Sequence, residues 1–247
     1  MKNILKILVL PLVISLLAIS CEIDNYDGPD ASISGRFLDN VTGELVGTDI
    51  TNGNSIGAFE LGWASEARQT WAIKNSGEYT NNLVFAGTYR LELNNGNFYP
   101  FVVNDFVIEK GSNTHDFTVT PYIRIKNPEI RYDAATKIVT ATFNLEAGGT
   151  DVKLNEIRLF AFTDHWVGNY VKFAIASADC YKRASNNTVN ATISGDKYTL
   201  SMKVADNAGL FKYTRNYYFR IGALATVSGV GTVRHNYSPL TVISIEI

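Results

Sequence analysis

The sequence predicts an all-β protein built of two tandem β-sandwiches. Apolar and polar residues alternate with a period of two along most of the chain from residue 32 onward. Turn residues separate these runs at short intervals, and 12% of the residues are aromatic, which suits packed sheets. No segment has the pattern of an amphipathic helix, although residues 176–185 are compatible with one short helical turn.

The first twenty residues have the pattern of a bacterial lipoprotein export signal. Lys2 and Lys6 precede an apolar run at 7–19, and small residues then lead to Cys21. The pattern predicts that residues 1–20 are removed and that Cys21 is acylated, which would hold the protein on a membrane. The alternative is a plain secretory signal followed by an incidental cysteine.

Residues 21–31 form an acidic tether. Four of its residues are acids: Glu22, Asp24, Asp27 and Asp30. Gly28 and Pro29 interrupt regular structure, so the segment is expected to be a solvated linker. In some Gram-negative systems, acids just after the lipidated cysteine also mark export to the outer leaflet. We therefore expect an outer-membrane, lipid-anchored protein that faces the cell exterior.

The composition narrows the possible partners. The formal net charge is −2, from 22 basic and 24 acidic residues, and removal of residues 1–20 changes it to −4 because two lysines are lost. A mildly acidic chain argues against a nucleic-acid partner. If Cys21 is lipidated, Cys180 has no disulfide partner within the chain and is expected to be a small buried hydrophobe rather than a nucleophile.

The first sandwich is expected at residues 32–121. Alternation or apolar runs indicate strands at 33–38, 56–63, 70–73, 83–85, 89–93, 101–108 and 117–125. Glycine-containing turns at 42–44 and 76–79 and a hairpin-type loop at 94–97 separate them. Pro121 marks the end of this domain, since proline cannot donate in a central ladder.

The second sandwich is expected at residues 122–247. Strand patterns occur at 122–126, 139–145, 157–161, 198–204, 217–223 and 240–247. Asn127 and Pro128 are expected to break the first of these, and both faces of 157–161 are expected to be partly buried. About seven strands with frequent turns favour an immunoglobulin-like sandwich.

Two resemblances agree with this division. The motifs at 34–39, 42–44, 77–79 and 85–91 resemble the carboxypeptidase regulatory-like, transthyretin-like β-sandwich. Residues 21–31, 85–90 and 119–125 resemble the domain-of-unknown-function family 3823, which consists of lipoproteins from Bacteroidetes-type bacteria. Its members look like two-domain β proteins, often encoded beside SusC/SusD-like glycan uptake pairs. The resemblance implies an accessory role in capturing polysaccharide beside SusC/SusD-like partners, and it supplies no catalytic residue.

The residues give little indication of catalysis. The three histidines, His115, His165 and His235, have no partner at metal-ligand spacing, so no metal site is expected. There is no nucleophile elbow and no phosphate-binding glycine loop. A glycosidase would need two acids roughly 5–9 Å apart across a cleft, which small sandwiches seldom enclose. We predict a protein that is not an enzyme and needs no cofactor.

The best candidate for a ligand site is the predicted loop from Asp164 to Tyr170. Sugars bind by stacking their apolar faces on aromatic rings while polar neighbours hold the hydroxyls. Trp166 and Tyr170 would provide the platform, and Asp164, His165 and Asn169 the hydrogen bonds. The alternative is that Trp166 folds back as a hydrophobic plug over the end of the sandwich.

Three weaker candidates remain. Trp63 and Trp71 are expected to share one edge of the first domain, although core packing is favoured for Trp71. The segment 97–100 is a further aromatic loop. Lys182 and Arg183 beside Tyr181 would suit acidic sugars, but such residues are more often solvated charges.

The sequence therefore favours a non-catalytic, surface-displayed lipoprotein that binds a polysaccharide or oligosaccharide for an uptake system. The alternative is a structural or docking module for an outer-membrane transport complex, without sugar binding. A small hydrolase and a pilus-type adhesin are further alternatives, and no donor-strand signature supports the adhesin.

Overall fold

The chain is all-β and folds into two tandem domains, as predicted. The structure is a computed structural model that describes residues 27–175 and 178–247. The export signal, Cys21 and the first part of the acidic tether lie outside the described residues. Within those ranges no helix is long and apolar enough to span a membrane. The helical segments there are three single 3₁₀ turns, at Ala178–Cys180, Ala184–Asn186 and Ala205–Asn207.

The first domain contains two sheets that share one hydrophobic core. Its strands are β1 (Ala31–Asp39), β2 (Ser55–Glu60), β3 (Arg68–Ala72), β4 (Glu78–Val84), β5 (Gly87–Leu93), β6 (Phe101–Ile108), β7 (Gly111–Thr114) and β8 (Phe117–Val119). One sheet has the order β4-β1-β7, with β8 also paired to β1, and the other has the order β3-β2-β5-β6. The pairings of β1 with β7 and β8 are parallel, and the others are antiparallel.

The alternation of apolar and polar residues along its strands explains how the first domain fills its core. On β5, Tyr89, Leu91 and Leu93 are buried, whereas the residues between them are partly exposed. Phe37 on β1 is fully buried and stacks on Phe98 and Phe117, with ring centroids 5.4 and 5.2 Å apart. Such aromatic pairs stabilise a core beyond the area that they bury.

The second domain contains a three-stranded and a five-stranded sheet around a second core. Its strands are β9 (Ile123–Asp133), β10 (Ile138–Ala147), β11 (Lys153–Phe162), β12 (Tyr181–Arg183), β13 (Lys197–Lys203), β14 (Arg215–Thr226), β15 (Asn236–Tyr237) and β16 (Thr241–Ile245). The sheets have the orders β13-β10-β9 and β12-β11-β14-β15, with β16 also paired to β14. On β11, Ile157 and Leu159 enter the core while Phe160, on the opposite face, is also buried, which confirms the prediction of two buried faces.

Several predicted strand limits are wrong. The run at 83–85 is the end of a strand that begins at Glu78, and the run at 117–125 is two strands, of which one ends at Val119 and the next begins at Ile123. Asn127 and Pro128 do not end β9, because together they oppose the single residue Phe143 of β10 and form a β-bulge, with Asn127 at a φ of 49°. The strand expected at 56–63 ends at Glu60, and Gly62 adopts a φ of 98° in the turn that follows.

A buried ion pair joins the two domains. Arg124 at the start of β9 donates two hydrogen bonds to Asp39 at the end of β1, at 2.7 and 2.8 Å. Both side chains are at most 7% exposed. Burial raises the pKa of Asp39, but the hydrogen bonds from Arg124, the Val41 N–H and Thr42, together with the Arg124 charge, lower it by more, so this pKa lies below its ordinary value. The paired charges fix the orientation of one domain on the other.

Asn97 is the centre of a second buried contact between the domains. Its Nδ2 donates to the carbonyl oxygens of Gly47 at 2.8 Å and His235 at 2.9 Å, and its Oδ1 accepts from Asn54. Its carbonyl oxygen accepts from Asn236 Nδ2 at 2.8 Å. His235 and Asn236 belong to the second domain, so these buried polar groups are satisfied only when the domains are in contact.

Candidate functional site

The loop that follows β11 is held in place by the first domain. We call residues 163–172 the Trp166 loop. Asn75 Nδ2 donates to the carbonyl oxygen of His165 at 2.8 Å, and the Asn169 N–H donates to Asp49 Oδ1 at 2.7 Å. A Cβ at Gly168 would lie 2.3 Å from the same Asp49 oxygen, so this close approach requires glycine. The loop therefore has one defined position across the domain boundary.

Trp166 lies on the surface of this loop and is 37% exposed. Its ring lies against the His165 ring, with centroids 4.1 Å apart. Asp164 Oδ1 is 2.6 Å from His165 Nδ1 and also accepts the Trp166 N–H at 3.3 Å. The side chain next to it, Val167, is buried and 1% exposed. Trp166 therefore keeps part of its ring available to a ligand.

Tyr170 and Asn169 have different surroundings. Tyr170 is 47% exposed, and its Oη accepts a hydrogen bond from Arg234 at 3.2 Å. The Asn169 N–H donates to Asp49 and to Tyr237 Oη, and its carbonyl oxygen and Oδ1 both accept from Lys172 Nζ. Asn169 therefore positions the loop, whereas Tyr170 presents a ring.

Buried aromatic side chains support the loop from below. A Cβ at Gly222 would lie 2.5 Å from the Phe160 ring and 3.2 Å from the Tyr237 ring, so both rings pack over that glycine. Tyr237 Oη donates to Asp49 Oδ2 at 2.6 Å. Burial, with the Asp49 charge, raises the pKa of Tyr237 well above its ordinary value, so the phenol remains a donor. The Arg220 guanidinium lies 4.3 Å over the Tyr237 ring.

The other two tryptophans differ from each other. Trp71 is 4% exposed and packs in the first core, where its ring centroid is 5.8 Å from that of Tyr89. It offers no face to a sugar, which agrees with the core interpretation and removes it as a ligand-binding candidate. Trp63 is 66% exposed and lies in the loop between β2 and β3. Of the two tryptophans considered at this edge, Trp63 alone therefore exposes its ring.

The aromatic segment 97–100 and Arg183 of β12 both contact other side chains of the protein. Phe98 is 2% exposed, and the Tyr99 hydroxyl donates to Asp151, so the segment 97–100 packs inward. Arg183 Nε donates to the buried Glu156 at 2.6 Å, and its Cζ lies 5.5 Å from the Tyr181 ring. Arg183 is thus partly committed to an ion pair.

Two kinds of chemistry, metal binding and attack by a cysteine, can be compared with the part of the chain that the structure describes. No group of three histidine, cysteine or carboxylate side chains there is arranged to hold a metal ion. Cys180 is 1% exposed, and burial raises the pKa of its thiol, which disfavours the nucleophilic thiolate. A shallow groove of about 290 Å³ on the first domain is lined by Arg36, Asp116 and neighbouring residues, and contains none of the candidate aromatic residues.

Sequence reasoning missed three cations at this site: Lys172 at the end of the Trp166 loop, and Arg158 and Arg234 beside it. Arg158 Cζ lies 5.7 Å from the Phe160 ring, and Lys172 Nζ lies 5.8 Å from the same ring. Alternation along β11 places Arg158 on the same face as Phe160. That signal was present in the sequence, as was the position of Lys172 two residues after Tyr170, whereas Arg234 reaches the site only through the folding of the chain.

Two family profiles match consecutive parts of this chain. The profile described as "Protein of unknown function (DUF3823) N-terminal domain" matches residues 31–120. The profile described as "Domain of unknown function (DUF3823_C)" matches residues 123–241. A search among curated proteins finds no match.

Solved structures resemble the whole described fold. A proposed carbohydrate binding protein from Bacteroides uniformis ATCC 8492 is 54% identical, covers 88% of this chain and 100% of its own, and has a TM-score of 0.83. DUF3823 family proteins from Bacteroides ovatus ATCC 8483 and Parabacteroides merdae ATCC 43184 are 19% and 20% identical, each with a TM-score of 0.68. They cover 87% and 88% of this chain and 100% of their own, and support the fold alone.

Proposed function

Because this chain belongs to the DUF3823 family, we propose that it is a non-catalytic, lipid-anchored protein of the outer membrane that binds a glycan for a polysaccharide uptake system. One observation carries the binding proposal: exposed aromatic rings stand on a loop that both domains hold in place. The 54%-identical protein from Bacteroides uniformis, a proposed carbohydrate binding protein, supports the same class of ligand.

The Trp166 loop has the properties that sugar binding requires. Trp166 and Tyr170 are 37% and 47% exposed, so each offers part of a ring to the apolar face of a sugar. The side chains of Asp164 and His165 are 46% and 51% exposed beside them and can bond to hydroxyl groups. Because hydrogen bonds to the first domain already fix the loop, binding costs little further ordering.

The location and the partners are proposed from the sequence pattern of residues 1–31. An acylated Cys21 would tether the mature chain to the membrane, and SusC/SusD-like proteins are the expected neighbours there. Replacement of Cys21 by alanine should release the protein from the membrane fraction. Surface display should make the protein accessible to added protease in intact cells, and complete protection would contradict it.

Native affinity electrophoresis tests the binding proposal. The mature chain, residues 22–247, is run through gels that contain plant, host or microbial polysaccharides. At least one gel should retard the protein selectively, and Trp166→Ala should abolish the retardation. Trp63→Ala is the matched control, because it removes an exposed indole outside the Trp166 loop. Unchanged retardation of a folded Trp166→Ala protein would refute the assignment of this loop.

A docking function is the second candidate, and exposed apolar side chains on the first domain favour it. Trp63, Leu83 and Val107 are 66%, 74% and 57% exposed. Exposed apolar surface can mark a site of protein contact. The absence of retardation in every gel, with co-purification of an outer-membrane protein that Trp63→Ala disrupts, would support docking over glycan binding.

A further inference from the structure

The outer face of the five-stranded sheet carries cations beside the Trp166 loop. The cationic cluster consists of Arg158, Lys172, Arg183 and Arg234. Directly paired residues lie on the same face of a sheet. Ile157 and Leu159 of β11 face the core, so Arg158, and the Arg183 that pairs with Glu156, lie on the opposite face of the sheet. Lys172 reaches the same face beside Phe160, and Arg234 lies beside Tyr170.

The cluster is continuous with the glycan-binding loop. Lys172 Nζ donates to Asn169 of that loop and lies 5.8 Å from the Phe160 ring, and Arg158 lies 5.7 Å from the same ring. Arg234 donates to the hydroxyl of Tyr170. A sugar stacked on the exposed rings would therefore lie beside Lys172 and Arg234.

Some cations of the cluster have a carboxylate partner among the described residues and others do not. Glu156 is the carboxylate in contact with the cluster, 2.6 Å from Arg183 and 3.7 Å from Arg158. The buried Asp49 already accepts hydrogen bonds from Tyr237 and from the backbone of the Trp166 loop. Across residues 27–175 and 178–247, Lys172 and Arg234 have no carboxylate within 4.0 Å. Lys172 and Arg234 therefore keep positive charges that no described carboxylate contacts, in a chain whose formal net charge is −2.

Two further features of the region favour an anion. Burial and the nearby Arg158 charge lower the pKa of Lys172, and the carboxylates of Asp49 and Glu156 offset this only in part. Arg234 Nε is one of three buried side-chain polar atoms in the described residues that have no hydrogen-bond partner. Buried donors without partners destabilise a fold, and a bound anion would relieve the repulsion between the cations.

We propose that the glycan bound at the Trp166 loop is acidic, with a carboxylate or sulfate group that binds to the cationic cluster. This inference rests on the proposed glycan-binding function and specifies its substrate class. Arginine forks match the geometry of carboxylate and sulfate oxygens, and the Tyr181 ring, with Arg158 at 4.8 Å and Arg183 at 5.5 Å, adds an aromatic surface. A neutral sugar would bring no negative charge to offset the cations of the cluster.

Pairs of polymers that share a backbone and differ in charge distinguish recognition of the charge from recognition of the sugar. Binding of the mature chain is measured in polygalacturonate and in its methyl ester, which has the same backbone without the charge. Carrageenan and chemically desulfated carrageenan form the equivalent pair for sulfate, and polyglutamate supplies carboxylates without sugar rings. At least one acidic glycan should bind, and its neutral counterpart and polyglutamate should not.

The variant Lys172→Gln tests the assignment to this cluster. It should weaken binding of the acidic glycan by roughly tenfold to a hundredfold, as expected for loss of a charged hydrogen bond. Its thermal stability should be retained, because the removed charge is disfavoured in the folded protein. Lys197→Gln, an exposed lysine on β13 of the other sheet, is the control and should bind normally.

Each outcome separates this inference from the function on which it rests. Equal binding of neutral and acidic glycans, lost in Trp166→Ala, would overturn the acidic class and leave glycan binding intact. Equal binding of polyglutamate, or undiminished binding by Lys172→Gln, would also overturn it. No binding to any polysaccharide would overturn both proposals.

Discussion

The buried carboxylate Glu156 should contribute measurably to stability. Burial raises its pKa, but His235, Arg183 and Arg158 lower it by more, to about 2 from an ordinary 4.5. Each pKa unit corresponds to about 1.4 kcal/mol, so this difference corresponds to roughly 3 kcal/mol. The Arg183 side chain is 47% exposed, and solvent screening there reduces the expected value to roughly 2 kcal/mol.

The change Glu156→Gln tests this value. At pH 7 it should lower the free energy of unfolding by that amount and the melting temperature by about 4–8 °C. Because the folded pKa is depressed, the stabilisation is complete above the unfolded pKa near 4.5 and is lost as the pH falls toward about 2. The gap, meaning the difference in unfolding free energy between the unmodified protein and Glu156→Gln, should therefore be constant from pH 7 to 5 and shrink below pH 4.5.

Urea unfolding at pH 7, 5, 4 and 3 measures the gap directly. Glu44→Gln is the control, since Glu44 is exposed and its replacement should change the stability little at any of these pH values. Equal stability of Glu156→Gln and the unmodified protein at pH 7 would refute the reasoning. A gap as large at pH 3 as at pH 7 would also refute it, because the loss would then come from packing rather than charge.

Two further predictions concern the contacts between the domains. Asp39→Ala leaves Arg124 buried without its bidentate partner and should cost about 3 kcal/mol in urea unfolding at neutral pH; a loss below about 1 kcal/mol would show that solvent replaces the carboxylate. Gly168→Ala places a methyl group 2.3 Å from Asp49 Oδ1 and should displace the Trp166 loop, seen as weaker glycan retardation with both domains folded; normal retardation would show that the loop position does not matter.

Local sequence patterns were sufficient for most of the fold. Side chains on a strand alternate between faces, so the burial of Tyr89, Leu91 and Leu93 could be read directly from the chain. The wrong break at Asn127 and Pro128 has a different origin. Whether such a pair ends a strand or forms a bulge depends on the strand opposite, and that pairing is a long-range property.

The candidate site was predictable only in part. A loop with tryptophan, histidine, tyrosine and short polar residues could be recognised from composition, but exposure could not. Trp63 and Trp71 lie near each other in sequence, and only the packing of the sheets makes one exposed and the other buried. Arg234 lies 64 residues from Tyr170 and reaches it only in the folded chain.

The anchoring of the Trp166 loop restricts how this protein can change by recombination. The loop belongs to the second domain, yet Asn75 and Asp49 of the first domain hold its backbone. A hybrid that joined this second domain to a foreign first domain would therefore lose the shape of the loop even if both halves folded. The two domains must be inherited together, and changes on one side of their boundary constrain which residues are acceptable on the other.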